Sequence, residues 1–323
     1  MSLRIFGDNR IEASWFRSLS KSLKDANFEK IRGRGQNPRL VDNLIQYDRP
    51  DIILTRDDIP VLVVEKTREV PTGHNVGQRA ARLVRAVELG VPTICFFPFD
   101  SRKHGEYTGI CNLNIRLLKA FEKMYEIHGT PIIAVNWLTD EHGELIGDGS
   151  ENESISKIVN GYIDSGFNPN CRELIQNIEI NKLEYDQRLD RRKSYSKPPN
   201  SVVILQTDQL IATLENRVSR LVAQNLNLLK ESVVYTMDMK PAKCRREDPY
   251  TGTQFIYDYI WCRNGRKVEQ KHRNLILHFP SITKQKWYES NPNDVTRKSC
   301  NWYLTATALI FSDAVDLLRG TKI

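Results

Sequence analysis

Nothing in the 323-residue chain approaches the roughly 20 consecutive apolar residues that a membrane-spanning helix needs. The opening stretch, M-S-L-R-I-F-G-D-N-R, has no apolar core of the kind a secretory signal carries, so the expected location is cytoplasmic. Cysteine is sparse and unpaired in pattern: Cys95, Cys111, Cys171, Cys244, Cys262 and Cys300 include no C-x-x-C. That scatter argues against a zinc ribbon and a disulfide framework and suits a reducing compartment. No spaced His/Cys set points to zinc either. The segment G-R-G-Q (33–36) is no Walker loop, because no G-K-[ST] follows it. The chain also has no internal repeat and no low-complexity tract.

What it does have is an excess of positive charge, +7 with a pI near 9.0. A polyanionic partner is one reading of such a balance. The excess is uneven: residues 1–150 hold 21 basic against 20 acidic side chains, and residues 151–323 hold 26 against 20. If nucleic acid is the partner, much of the backbone grip falls to the second half.

The most informative stretch is Arg49 to Thr67, R-P-D-I-I-L-T-R-D-D-I-P-V-L-V-V-E-K-T. Asp51, after Pro50, ends a short apolar strand. A polar turn comes next, Thr55 to Pro60, and the apolar strand Val61 to Val64 then delivers Glu65. Two antiparallel strands joined this way hold two carboxylates side by side at one sheet edge. Paired hard oxygen ligands are what a Mg²⁺ ion needs while it grips a phosphate and keeps several waters.

The surrounding pattern sets this motif in an α/β domain. Ile11, Trp15, Leu19 and Leu23 sit at near-helical spacing, which predicts an amphipathic helix over 11–30 with Glu12 in its first turn. Residues 32–39, R-G-R-G-Q-N-P-R, form a glycine-broken basic loop. After the two strands, P-T-G-H-N-V-G-Q (71–78) turns into a helix from about Val76 to Leu89, stopped by Gly90 and Pro92. Thr93 to Phe97 is an apolar run of the kind found in strands buried on both faces. A helix at about 112–127 and a strand from Pro131 to Trp137 complete the domain, which ends near 148–150, and residues 140–154 are expected as a surface loop.

Element order and motif together resemble the PD-(D/E)XK nucleases, in particular the type II restriction endonucleases. There is one departure: Thr67 stands where that family usually has lysine. The resemblance implies a central mixed sheet flanked by helices. It also implies Mg²⁺ held by Asp51 as bridging ligand and by Glu65 as second, with help from the backbone carbonyl of Lys66. In typical members the lysine sits beside the attacking water; Thr67 can hydrogen-bond that water but brings no positive charge. Lys66 alternates to the other face of a regular strand and substitutes only if the strand is bulged there. Gln78 and Arg79, at the start of the following helix, resemble the Gln or basic residue that several branches direct toward the metals or the scissile phosphate. Glu12 resembles an auxiliary acidic ligand of some restriction-type members. His74 is a candidate proton shuttle, although a histidine before a helix is more often a cap or a surface residue.

Beyond a connecting segment (151–200) that ends in the basic linker R-L-D-R-R-K-S-Y-S-K-P-P-N, residues 201–323 are expected to form a basic α+β recognition domain. Strand-like runs at 201–205, 232–237, 254–262 and 274–279 and helical spacing over Leu210 to Leu229 outline it. Asp238-x-Lys240 imitates the second half of the catalytic motif, but no convincing acidic partner precedes it. Recognition is the better reading. Lys240, Lys243, Arg245, Arg246, Arg263, Arg266 and Lys267 are interleaved with Tyr250, Tyr257, Tyr259 and Trp261, and such cations bind phosphates or guanine edges. Arg32 and Arg34 in the glycine-broken loop are further candidates for contact with double-stranded DNA.

The expectation is therefore a Mg²⁺-dependent endodeoxyribonuclease of the restriction type, acting as a homodimer by the same resemblance. Two rivals stand beside it. One is a repair, transposition or defence nuclease acting on structured or modified DNA. The other, prompted by Thr67, is a DNA-binding module without activity.

Overall fold

The structure is a computed structural model that describes residues 2–72, 74–104, 108–190, 201–214, 217–244, 255–256, 273–290 and 302–318, without the side chains of 74–80 and 243. The first half opens with β1 (Leu3–Gly7), α1 (Arg10–Ser18), β2 (Asn27–Lys30) and α2 (Arg39–Leu44). The hairpin β3 (Ile52–Arg56) and β4 (Ile59–Lys66) follows, then α3 (His74–Glu88), β5 (Thr93–Phe97) and a small ribbon, β6 (Asp100–Lys103) with β7 (Gly109–Asn112). The helix α4 (Arg116–His128) leads into β8 (Ile132–Asn136), and α5 (Glu153–Asp164) and α6 (Arg172–Leu189) come after it.

Six strands form a mixed sheet in the order β2-β1-β3-β4-β5-β8. β3 runs antiparallel to both neighbours, whereas β4, β5 and β8 are mutually parallel through helical crossovers. The β3–β4 turn needs two consecutive left-handed residues, and Asp57 (φ 48°) and Asp58 (φ 69°) supply them. Aspartate tolerates that region better than bulkier residues, and the resulting primed turn suits the twist of a hairpin. The register pairs Ile52 with Val64. Carried one residue further, it sets Asp51 opposite Glu65.

Helices cover both faces of this sheet. On one side Ala13 and Phe16 of α1, Ile155, Ile158, Val159 and Tyr162 of α5, and Leu174 and Ile178 of α6 pack on Ile52, Leu54, Leu62, Val64, Ile94 and Phe96. The span 151–190, expected as connector, thus contributes two helices to the first sheet's core. Asn181 of α6 reaches the outer edge of β8, where its side chain accepts from the Ala134 N–H (2.7 Å) and donates to the Ala134 carbonyl (2.8 Å). On the opposite side α2, α3 and α4 pack against the sheet.

The second half has β9 (Val202–Gln206), α7 (Thr207–Leu214), α8 (Arg220–Leu226), β10 (Glu231–Thr236), β11 (Asn274–Phe279), α9 (Lys284–Glu289), β12 (Ala308–Phe311) and β13 (Val315–Leu317). These strands form a second mixed sheet in the order β13-β12-β11-β10-β9. The two sheets share an apolar core: Leu83, Val84 and Val87 of α3 and Phe121 of α4 lie in one buried cluster with Tyr235, Leu277, Trp287 and Trp302. The chain is an α/β protein with mixed sheets flanked by helices.

Three expected elements differ. The helix expected over 11–30 stops at Ser18, and a short 3₁₀ turn (Lys21–Leu23) and β2 follow. Ser20 is extended there and its hydroxyl accepts the Ser22 N–H (3.2 Å), a local bond that competes with helix continuation. The helical pattern over Leu210 to Leu229 is two helices, with Ser219 capping the second through the Val222 N–H (3.3 Å). Within 254–262, expected as a strand, Phe255 and Ile256 are helical, and the rest lies outside the described residues.

Candidate active site

The hairpin brings its two carboxylates into contact at the end where β4 leaves the sheet. The Asp51 N–H donates to Glu65 Oε2 (3.3 Å), and the Lys66 N–H donates to Asp51 Oδ2 (2.8 Å). Each carboxylate is therefore oriented by the backbone of the strand opposite. Glu65 is 4% exposed, unusual for an acidic residue.

A cation from α3 meets this pair. Arg82 Nη1 lies 3.0 Å from Glu65 Oε1 and 3.6 Å from Asp51 Oδ1. Arg82 Nη2 and Nε both reach Asp48 Oδ2, at 2.9 and 3.3 Å. One guanidinium thus spans three carboxylates, as its planar fork permits and an ammonium would not. Burial alone would lower the Arg82 pKa, but Glu65, Asp48 and Asp51 outweigh it and raise it far above the ordinary value. Burial also raises the Asp48 pKa, in opposition to Arg82, which pulls it down. The cluster holds three acidic groups against one guanidinium.

Lys66 lies on the opposite face. β4 stays in register with β5 through Lys66↔Phe96, with no bulge at that point. Its ammonium sits 3.9 Å from the Trp15 ring centroid and 5.0 Å from that of Trp137, a cation–π seat between two indoles. Phe96 stacks with both indoles, at 5.8 and 4.9 Å. Burial lowers the Lys66 pKa against the pull of Glu151 and Glu12.

Glu12, in the first turn of α1, is half-buried. Its Oε2 atom is enclosed and has no hydrogen-bond partner among the described residues. Burial raises its pKa, with Asp8 and Glu65 adding to the effect. A carboxylate oxygen left in that condition suits a cation. Among the described residues no group of three His, Cys, Asp or Glu side chains is arranged to hold a metal by itself. A divalent ion on Asp51 and Glu65, with Glu12 nearby, would complete its shell with water and phosphate oxygens, the usual habit of Mg²⁺. On donor chemistry the residues fit such an ion.

The other candidates are dispersed. Thr67 Oγ1 accepts the Glu69 N–H (3.2 Å), so the hydroxyl braces a turn. His74, Gln78 and Arg79 lie on the first two turns of α3, and their side chains are outside the described residues. Arg34 donates to the Gln46 carbonyl, and Arg32 stands in an exposed loop. Lys240 leads into a 3₁₀ turn (Pro241–Lys243), where the Lys243 side chain is not described. Arg245, Arg246, Arg263, Arg266 and Lys267, with Tyr250, Tyr257, Tyr259 and Trp261, lie outside the described residues.

Sequence reasoning missed Arg82 and Asp48. A signal existed for each: Arg82 stands one helical turn beyond Gln78 and Arg79, on the same face, and Asp48 stands three residues before Asp51. Compared with protein-family models, curated proteins and solved structures, the chain finds no match.

Proposed function

We propose that the chain is a divalent-metal-dependent endodeoxyribonuclease that hydrolyses phosphodiester bonds of double-stranded DNA, of the type II restriction kind and acting as a homodimer. The observation that carries this reading is the contact between Asp51 and Glu65 at the end of the β3–β4 hairpin, each oriented by the other strand's backbone. Asp51 and Glu65 would hold the ion, here Mg²⁺, assisted by the carbonyl of Lys66, next in the chain to Glu65, and by Glu12, which feels the charge of Glu65. Bound there, the ion supplies charge neutralisation at the phosphate and a water of lowered pKa.

The chain's own residues do the rest. Arg82 holds Glu65 and Asp51 in place, so the pair does not have to reorganise when a phosphate arrives. The Lys66 N–H holds Asp51 in place, while the Lys66 ammonium, seated between indoles, adds positive potential from behind the strand. Thr67 contributes no charge and no base. The basic second half, with Lys240, Lys243, Arg245, Arg246, Arg263, Arg266 and Lys267, supplies phosphate and base-edge contacts.

A second reading, a DNA-binding protein without activity, draws support from Arg82, which already pairs with both carboxylates, and from Thr67. The test incubates the protein with unmodified and base-modified duplex DNAs in Mg²⁺, beside Asp51→Ala. Discrete fragments that vanish in the variant support the nuclease. Fragments that persist move the active site elsewhere. Retention of DNA on a gel with no cleavage by either protein favours the second reading.

A further inference from the structure

β1 and β2 run parallel, so their C-terminal ends open together, and between them lies a cleft of about 480 Å³. Such crevices beyond the carboxyl ends of parallel strands are common ligand positions in α/β sheets, and this volume is in the range of small-ligand sites. Asp8, Arg10, Phe28, Glu29, Lys30 and Arg32 are among its lining residues. The cleft adjoins the carboxylate pair: the Asp8 N–H donates to the Asp51 carbonyl (3.4 Å), and a Cβ on Gly7 would lie 3.2 Å from that same oxygen. One lining residue, Asp8, is therefore bonded to the backbone that carries Asp51.

The charges of the cleft are unevenly matched. Glu29 is taken by Arg4 (3.0 Å). Arg10, Lys30 and Arg32 are exposed, and none of them forms an ion pair among the described residues. Other arginines of this half are engaged, among them Arg82 with three acids, Arg85 with Glu88, and Arg188 with Asp100 and Glu184. The loop bearing Arg32 is also held in shape. Asn37 accepts the Arg32 N–H (2.9 Å) and donates to the Gly33 carbonyl (3.1 Å) and to Asp42 (2.7 Å). Three unpaired cations thus face one cleft from three elements, against one carboxylate, Asp8, that is likewise unpaired among the described residues.

We propose that this cleft binds backbone phosphates of a DNA strand, alongside the Asp51–Glu65 pair, through Arg10, Lys30 and Arg32. The choice of DNA rests on the nuclease reading above. Phosphate contacts of this kind set register and orientation and carry no sequence preference.

The test uses the full chain in EDTA, where metal-dependent cleavage is off, with a fluorescein-labelled random-sequence duplex of about one to two helical turns. Anisotropy titrations run across a series of KCl concentrations for wild type, for Arg10→Ala/Lys30→Ala/Arg32→Ala, for the single charge reversal Lys30→Glu, and for the control Lys21→Ala/Lys24→Ala, exposed cations outside the cleft. Each phosphate contact contributes about 0.9 to the slope of log K against log salt, so the triple variant should flatten it by about 2.7 and weaken binding roughly 10–100-fold. The Lys30→Glu protein should lose affinity at every sequence alike, and the control should match wild type. In Mg²⁺ the triple variant should raise KM and leave kcat near wild type. A triple variant with the wild-type slope, or a wild type that binds no duplex, overturns the cleft assignment. Failure of the nuclease reading shows separately, as Mg²⁺-dependent cleavage that is absent or indifferent to Asp51→Ala.

Discussion

Where the second sheet begins, Thr207, Ser232 and Asn274 are buried and polar but neutral; where the first sheet's hairpin ends, Asp48, Asp51, Glu65 and Arg82 are withdrawn from solvent and charged. In the second sheet Thr207 Oγ1 and Ser232 Oγ are 2.9 Å apart, and Asn274 Nδ2 donates to Ser232 Oγ (3.2 Å) and to the Leu226 carbonyl (2.9 Å). Asn274 Oδ1 is without a partner among the described residues. That cluster joins strands to α7 and α8 at modest desolvation cost. The hairpin cluster keeps three acids around one guanidinium and an enclosed Glu12 oxygen close by. Local rules for burying charge are bent at one sheet and followed at the other, which is the pattern expected when one of them is a working site.

The contrast can be broken most sharply by activity. On the proposed nuclease reading, Asp51→Ala and Glu65→Gln should each lower the single-turnover DNA cleavage rate at least about 10³-fold, some 4 kcal/mol of barrier. Asn274→Ala should leave that rate near wild type. Equal losses from all three would dissolve the distinction between a working cluster and a structural one.

Stability should show the next largest difference. Arg82→Met leaves Asp48, Asp51 and Glu65 without their guanidinium, and breaking a buried ion pair from one side costs about 3–5 kcal/mol. Urea denaturation of the metal-free protein reads this directly. Adding Mg²⁺ at about 100 times its Kd should return up to about 2.7 kcal/mol if the carboxylates take up the ion in place of the guanidinium. Asn274→Ala should cost about 1–3 kcal/mol, with no recovery on adding Mg²⁺.

The smallest effect concerns Glu12. Burial raises its folded-state pKa above the ordinary 4.5, so its contribution favours the folded state below that value and is lost as pH rises through the raised one. Glu12→Gln should therefore raise the metal-free melting temperature at neutral pH, by no more than about 2 °C given the solvent screening of a half-exposed group. The gain should disappear below about pH 4.5. A loss of stability at neutral pH would mean that Glu12 is paired in solution.

How much of this was legible beforehand follows from the range of the interactions. The hairpin was readable because each part is local: two continuous apolar runs, a turn rich in aspartate, a carboxylate at each outer end. The run Thr93 to Phe97 was readable for the same reason and is β5 at those bounds. Arg82 was not, because its partners lie 17 and 34 residues away and only the packing of α3 brings them together. Trp15 and Trp137 gave no hint of a seat for Lys66, since aromatic spacing looks the same in an ordinary core. The helices at 153–189 were overshadowed by charge and asparagine, although Ile155, Ile158, Val159 and Tyr162 keep helical spacing.

Asn181 carries one more consequence. β8 is the outermost strand of its sheet, and a bare outer strand is a template on which another chain can add itself. By taking both the N–H and the carbonyl of Ala134, the amide of Asn181 imitates the next strand's backbone at that position. A second molecule extending the sheet at β8 would first have to evict it, so the side chain acts as a guard against edge-to-edge aggregation and steers any self-association to other surfaces.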